Sequence, residues 1–212
     1  MIAEAVIFDF NGTLIDDAEE NNEGWSRTAE HYRGEPLSRA ELQLTYGMTD
    51  RELCLFISPE QDEDTLLEME FYKERIYLSM LVEHRKCLLD GAESFLSSLS
   101  CPLAIASASP RYNMDFFILH FDLMRFFRLE NIISGRTDLR GKPYPDYYIE
   151  AARTLGVELS KIVVFEDSRS GIISAREAGA GKVIAVNSGC GEIADISIKD
   201  FQALPATWNV IG

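Results

Sequence analysis

The run Val6-Ile7-Phe8-Asp9-Phe10 narrows the possible folds more than any other stretch of the chain. Val6, Ile7, Phe8 and Phe10 are β-branched or aromatic and nearly continuous, which reads as a strand buried on both faces of a parallel sheet. Asp9 stands inside that run. An ionised carboxylate there is costly unless it is paired, hydrogen-bonded or bound to a metal. Asn11-Gly12 then turns the chain. Gly12 admits close approach of backbone to a ligand, and Thr13 sets a hydroxyl beside free N–H groups. A β-hairpin is the plainer account of Asn-Gly between apolar runs; it explains the turn and leaves Asp9 unexplained.

From Leu88 onward the texture alternates. Apolar strands are predicted at Pro102–Ala106, Ile132-Ile133, Ile162–Phe165 and Val183–Val186, with Ile196–Ile198 as an edge strand. Helices are predicted after Gly91, over Tyr112–His120, from Pro145 to Gly156, and from Ser168 or Ser170 to Gly179. Strands alternating with helices imply an α/β fold with a doubly wound, Rossmann-like parallel sheet. Residues 16–87 differ: an acidic run, Asp16 to Glu23, opens a block with helical spacing and little strand signal. Ser38 with Glu41 reads as a capping box, Thr49 or Asp50 as a further cap, and Pro59 as a break. Asp64 to Leu81 carries Leu67, Phe71 and Leu78 among acids and bases and reads as a long amphipathic helix whose aromatics are expected in a core. The expected division is an α/β core of residues 1–15 and 88–212 with a small helical domain, 16–87, inserted in it.

Charge and cysteine content remove several functions. With 35 acids against 20 bases, the formal charge is −15, which repels nucleic acid and anionic membranes. An anionic substrate then needs a local basic or metal-lined pocket. Cys54, Cys87, Cys101 and Cys190 form no C-x-x-C pair, so a zinc site is not expected. Their wide spacing suits reduced thiols. No signal peptide or membrane-length apolar run is seen, and a cytoplasmic protein is expected.

In doubly wound sheets, ligands sit outside the carboxyl ends of the strands. Asp9, Ser107 and Glu166-Asp167 each end an apolar strand, and Lys142 lies in a loop after one. Asp9 and Asp167 can share one hard cation with a backbone carbonyl; Mg²⁺ takes such oxygen ligands together with water and substrate phosphate. One acid would suffice to cap a helix at 166–167, and two exceed that need. Ser107 can donate to a phosphoryl oxygen, and Lys142 can place a point charge near it. Asp9 can attack in line, forming an aspartyl phosphate.

The segments Phe8-Asp9-Phe10-Asn11-Gly12-Thr13-Leu14, Ala106-Ser107-Ala108-Ser109, Gly141-Lys142-Pro143-Tyr144-Pro145-Asp146 and Phe165-Glu166-Asp167-Ser168 occur in that order. Together they resemble the four motifs of the haloacid dehalogenase-like superfamily, in its phosphoglycolate phosphatase and β-phosphoglucomutase branch. The resemblance covers nearly all of residues 6–186 and makes the helical block a cap. It implies Asp9 as nucleophile, with Mg²⁺ held by Asp9, the backbone of Asn11 and Asp167, and supported by Glu166. It further implies phosphoryl binding by Asp9, Gly12, Thr13, Ser107, Ala108 and Lys142. In the cap, Gly47-Met48-Thr49 is similar to a substrate-contacting loop, and Lys73 with Tyr77 to a Lys-x-x-x-Tyr element. The arginine of the mutases would fall on Asp50, with Arg51 one place later.

Asn11 departs from the pattern, which has a second Asp there. In the family's phosphatases that residue protonates the leaving group and later activates water; an amide has no proton to exchange. The expected activity is therefore a Mg²⁺-dependent phosphatase for a small phosphorylated metabolite, slow or restricted to good leaving groups. The alternatives are a non-catalytic phosphate-ester binding module, a phosphosugar mutase, or a phosphonate hydrolase. The last lacks its Schiff-base lysine, since none stands between Gly47 and Glu52.

Overall fold

Strand β1 (Ala5–Phe8) has no exposed face and no free edge. Its four side chains are buried, and it pairs in parallel with a strand on either side. The structure, a computed structural model, describes residues 3–45 and 48–204. After β1 come helices α1 (Ala18–Arg33), α2 (Arg39–Leu44), α3 (Asp50–Ile57), α4 (Glu63–Glu83) and α5 (Ala92–Ser98). Strand β2 (Leu103–Ala106), helix α6 (Arg111–His120), β3 (Ile132–Ile133) and α7 (Asp146–Leu155) follow. Then come β4 (Ile162–Glu166), α8 (Arg169–Ala178), β5 (Lys182–Val186) and β6 (Ile196–Ile198). The chain divides into two units, Met1–Asp16 with Cys87–Gly212, and Asp17–Lys86.

In the first unit all six strands run parallel in the order β3-β2-β1-β4-β5-β6. The order reverses direction around β1, which makes the carboxyl end of β1 the switch point of the sheet. The hairpin alternative is overturned: β1 takes its partners from distant segments, and Gly12 turns the chain with φ 78°. Alternation along β1 sends Phe8 to one face of the sheet. There its ring stacks on Phe165 at 5.0 Å and meets Phe95, Phe127 and Phe201 at 6.0–6.3 Å. Ala5 and Ile7 point the other way, into a core with Ala104, Val164, Tyr148 of α7 and Ile172 of α8. The larger of these, Phe8, Ile7, Val164 and Ile172, contribute roughly 1.5–3 kcal/mol each. Ser168 caps α8 by accepting from the Gly171 N–H, and Gly179 ends it in the left-handed conformation.

The second unit is helical. Trp25 and Ala29 of α1, Leu53, Cys54 and Ile57 of α3, and Leu66 and Met69 of α4 form its core. Both capping boxes are present, Ser38 with Glu41 and Thr49 with Glu52. One reading is corrected: Phe71, expected in the core, is about half exposed, because α4 buries the stripe Leu66, Met69, Tyr77, Met80 and Leu81 instead. The acidic run after Asp16 also contributes a buried side chain. Glu20 is fully buried and meets His84 at 2.7 Å and Lys86 at 3.0 Å.

Candidate active site

Register sets the site. Phe8 lies opposite Phe165, so Asp9 emerges from β1 beside Glu166 at the end of β4, and the Asp9 N–H donates to the Phe165 carbonyl at 2.9 Å. Asp9, Glu166 and Asp167 bring carboxylate oxygens within 4.8 Å of one another. Lys142 enters from the loop before α7. Its ammonium bonds Asp9 Oδ1 at 2.6 Å and lies against Glu166 Oε1. Thr13 donates to Asp167 Oδ1 at 3.2 Å. Ser107, buried just after β2, accepts from the Ser109 N–H at 3.2 Å, while Ser109 Oγ donates to Asn11 Oδ1 at 2.6 Å. Ala108 between them is exposed.

Three carboxylates face one ammonium here. Burial pushes Asp9 up to about 7, with Lys142 pulling the other way. Asp167 is pushed up to about 9 by burial and by the charges of Glu166 and Asp9. Burial works against the Lys142 charge, but Asp9 and Glu166 hold the ammonium well above its ordinary value. The acids thus lack positive charge, and a divalent cation would bring the group to neutrality. The all-oxygen donor set fits a hard ion such as Mg²⁺.

Two glycines make room for the acids. A Cβ on Gly12 would stand 2.2 Å from Asp167 Oδ2, and one on Gly171 only 1.7 Å from Glu166 Oε1. Glu166 cannot retreat, because its carboxylate is held by Lys142, Tyr148 and Ser168. Gly171→Ala is therefore expected to cost at least the roughly 1–3 kcal/mol usual for overpacking, although alanine favours helix. Urea unfolding checks this; an unchanged midpoint would show that Glu166 moves freely.

The cap residues singled out in the sequence lie in the helical unit, with local partners. Thr49 caps α3 through Glu52, and Arg51 pairs with Glu63. The Met48 N–H donates to the Thr45 carbonyl at 3.0 Å. Lys73 pairs with Glu74 at 2.9 Å, its ammonium 5.2 and 5.0 Å from the Trp25 and Tyr77 ring centroids. Gly47 lies outside the described residues. Sequence reading passed over Ser109 and Tyr148. Ser109 belonged to a quoted motif, whereas Tyr148 carried no signal beyond that of a core aromatic.

Three carboxylates and a lysine are thus gathered at the switch point of a parallel α/β sheet, where such folds bind ligands. Residues 6–186 match the haloacid dehalogenase-like hydrolase family, and the chain belongs to that family. It is 30% identical to a phosphorylated carbohydrates phosphatase of Thermotoga maritima, over 86% of this chain and 85% of the relative. It is 28% identical to the validoxylamine A 7′-phosphate phosphatase of Streptomyces hygroscopicus subsp. limoneus, over 99% and 98%. Among solved structures, a family IA, variant 3 HAD hydrolase from Entamoeba histolytica superposes with a TM-score of 0.91 at 34% identity, covering 98% and 97% of the two chains.

Proposed function

We propose that the chain is a Mg²⁺-dependent phosphatase that cleaves a small phosphorylated metabolite through an aspartyl phosphate on Asp9. The observation that carries this reading is the Asp9 carboxylate beside Lys142 and Asp167 at the end of β1. Asp9 and Asp167 would hold the ion with the backbone of Asn11; bound there, it supplies charge that offsets the repulsion between the acids and an incoming phosphate. Lys142 orients Asp9 and offers charge to the phosphoryl oxygens, with Ser107 as a hydroxyl donor. Asp9 then attacks phosphorus in line as the ester oxygen leaves. The phosphatase names of the relatives support the substrate class. In this reading the helical unit serves as a cap whose substrate contacts would be Gly47, Met48, Thr49, Arg51 and Lys73. No helix among the described residues is long and apolar enough to cross a membrane. Cys54, Cys101 and Cys190 are free thiols, which suits a cytoplasmic setting.

Asn11 favours a second reading, a module that binds phosphate esters without turning them over. Assay on an aryl phosphate with and without Mg²⁺ separates the two. A Mg²⁺-dependent burst with slow turnover is expected; silence in both conditions would favour the binding module.

Metal and protons should compete. The folded Asp167 carboxyl titrates near 9 and its unfolded counterpart near 4. Its neutral form is thus favoured by folding, and the metal-free protein loses stability as pH rises through that window. Mg²⁺ must displace this proton, so its stabilising effect grows with pH. Thermal midpoints in EDTA and in Mg²⁺ should diverge more at pH 8.5 than at pH 6. A constant gap would mean that Asp167 is already ionised.

A further inference from the structure

We infer that Tyr148 is a positioning residue that fixes Lys142 and Glu166 relative to each other, its hydroxyl on the acid and its ring against the ammonium. The inference rests on the phosphatase reading above. Tyr148 is fully buried in α7, among aliphatic side chains where phenylalanine would pack as well. A buried phenol needs a partner, and this one donates to Glu166 Oε1 at 3.0 Å. The Lys142 ammonium lies 5.2 Å from the ring centroid, within reach of the negative face of the ring. One side chain thus touches both members of the pair.

Acceptor capacity explains why this matters. A carboxylate offers about four lone-pair sites. Glu166 Oε1 takes Lys142 and Tyr148; Oε2 takes the Ser168 N–H at 2.8 Å and its hydroxyl at 3.0 Å. Glu166 is therefore occupied in holding its neighbours, with its orientation set from both sides. Without the phenol, Oε1 keeps Lys142 as its one donor of these two. The ammonium, shared between Asp9 and Glu166, then loses the fixed point that aims it at the phosphoryl site.

Calorimetry with inorganic phosphate in saturating Mg²⁺ tests this on wild type, Tyr148→Phe, Glu166→Gln and the double variant. Tyr148→Phe keeps the ring and the fold, which urea unfolding verifies. It should weaken phosphate binding roughly tenfold or more, as loss of an orienting partner does. In the Glu166→Gln background the same change should have little further effect, because the hydroxyl acts through that carboxylate. Unchanged phosphate affinity in Tyr148→Phe, or an equal loss in both backgrounds, would reduce Tyr148 to packing and overturn the inference. A wild type that binds no phosphate with Mg²⁺ overturns the phosphatase reading and this inference with it. A wild type that binds, matched by Tyr148→Phe, overturns this inference alone.

Discussion

Asn11→Asp is expected to raise turnover of alkyl phosphates roughly 10²–10⁴-fold, the usual contribution of a positioned acid–base group, or about 3–5 kcal/mol of barrier. An alkoxide leaving group needs a proton, and the Asn11 amide has none to give. Ser109 already anchors this side chain through Oδ1 at 2.6 Å, so a carboxylate of the same shape would keep that bond. The gain should depend on the leaving group. Nitrophenolate departs without a proton, so the first step on an aryl phosphate should change little. Hydrolysis of the aspartyl phosphate should accelerate, because water regains its base. Pre-steady-state traces on both ester types check each part: the burst expected of wild type should merge into steady turnover. If alkyl turnover is already fast in wild type and does not change, another residue carries the proton.

Asp9→Asn should have the larger effect, in the opposite direction. Removing the residue proposed as nucleophile, among groups that act as a unit, is expected to cost on the order of 10⁶ in rate. Stability should not follow. Burial disfavours the Asp9 charge, and Lys142 keeps Glu166 as a partner, so a neutral isostere at position 9 folds at little cost. The expected outcome is an unchanged or raised thermal midpoint in EDTA, together with loss of the burst. Mass spectrometry of rapidly quenched wild type should show one added phosphoryl group on the peptide bearing Asp9, and none for the variant. Phosphorylation at another residue would move the nucleophile elsewhere.

What the sequence disclosed followed from how strongly each signal is coupled to backbone structure. Buried parallel strands need apolar runs on both faces, so β1, β2, β4 and β5 stand out, and the polar residues that end them point to the switch point. Capping boxes are local, and Ser38 with Glu41 was readable for that reason. Contacts that depend on tertiary packing were hidden. Glu20 sits in a run of acids and reads as solvated, yet it is buried against His84 and Lys86, more than sixty positions away. Phe71 reads as core until the stripe of α4 is known, and it lies off that stripe. Tyr148 reads as packing because nothing in a helix reveals that its hydroxyl meets a carboxylate on a later strand.

The central place of β1 also bears on how the chain is made. Its partner residues Leu103 and Phe165 lie far downstream, roughly 100 and 160 positions after β1. At about 5–20 residues per second, synthesis reaches β4 roughly ten to thirty seconds after β1 appears. Until β2 is made, four apolar residues have both edges unpaired, and the edge that β4 takes stays open for the whole interval, a template for unwanted strand addition. The helical unit is made in the meantime, and its local contacts form early. The ribosome thus delivers the whole helical unit before most of the sheet exists, and the strand that leads into Asp9 waits longest for its neighbours.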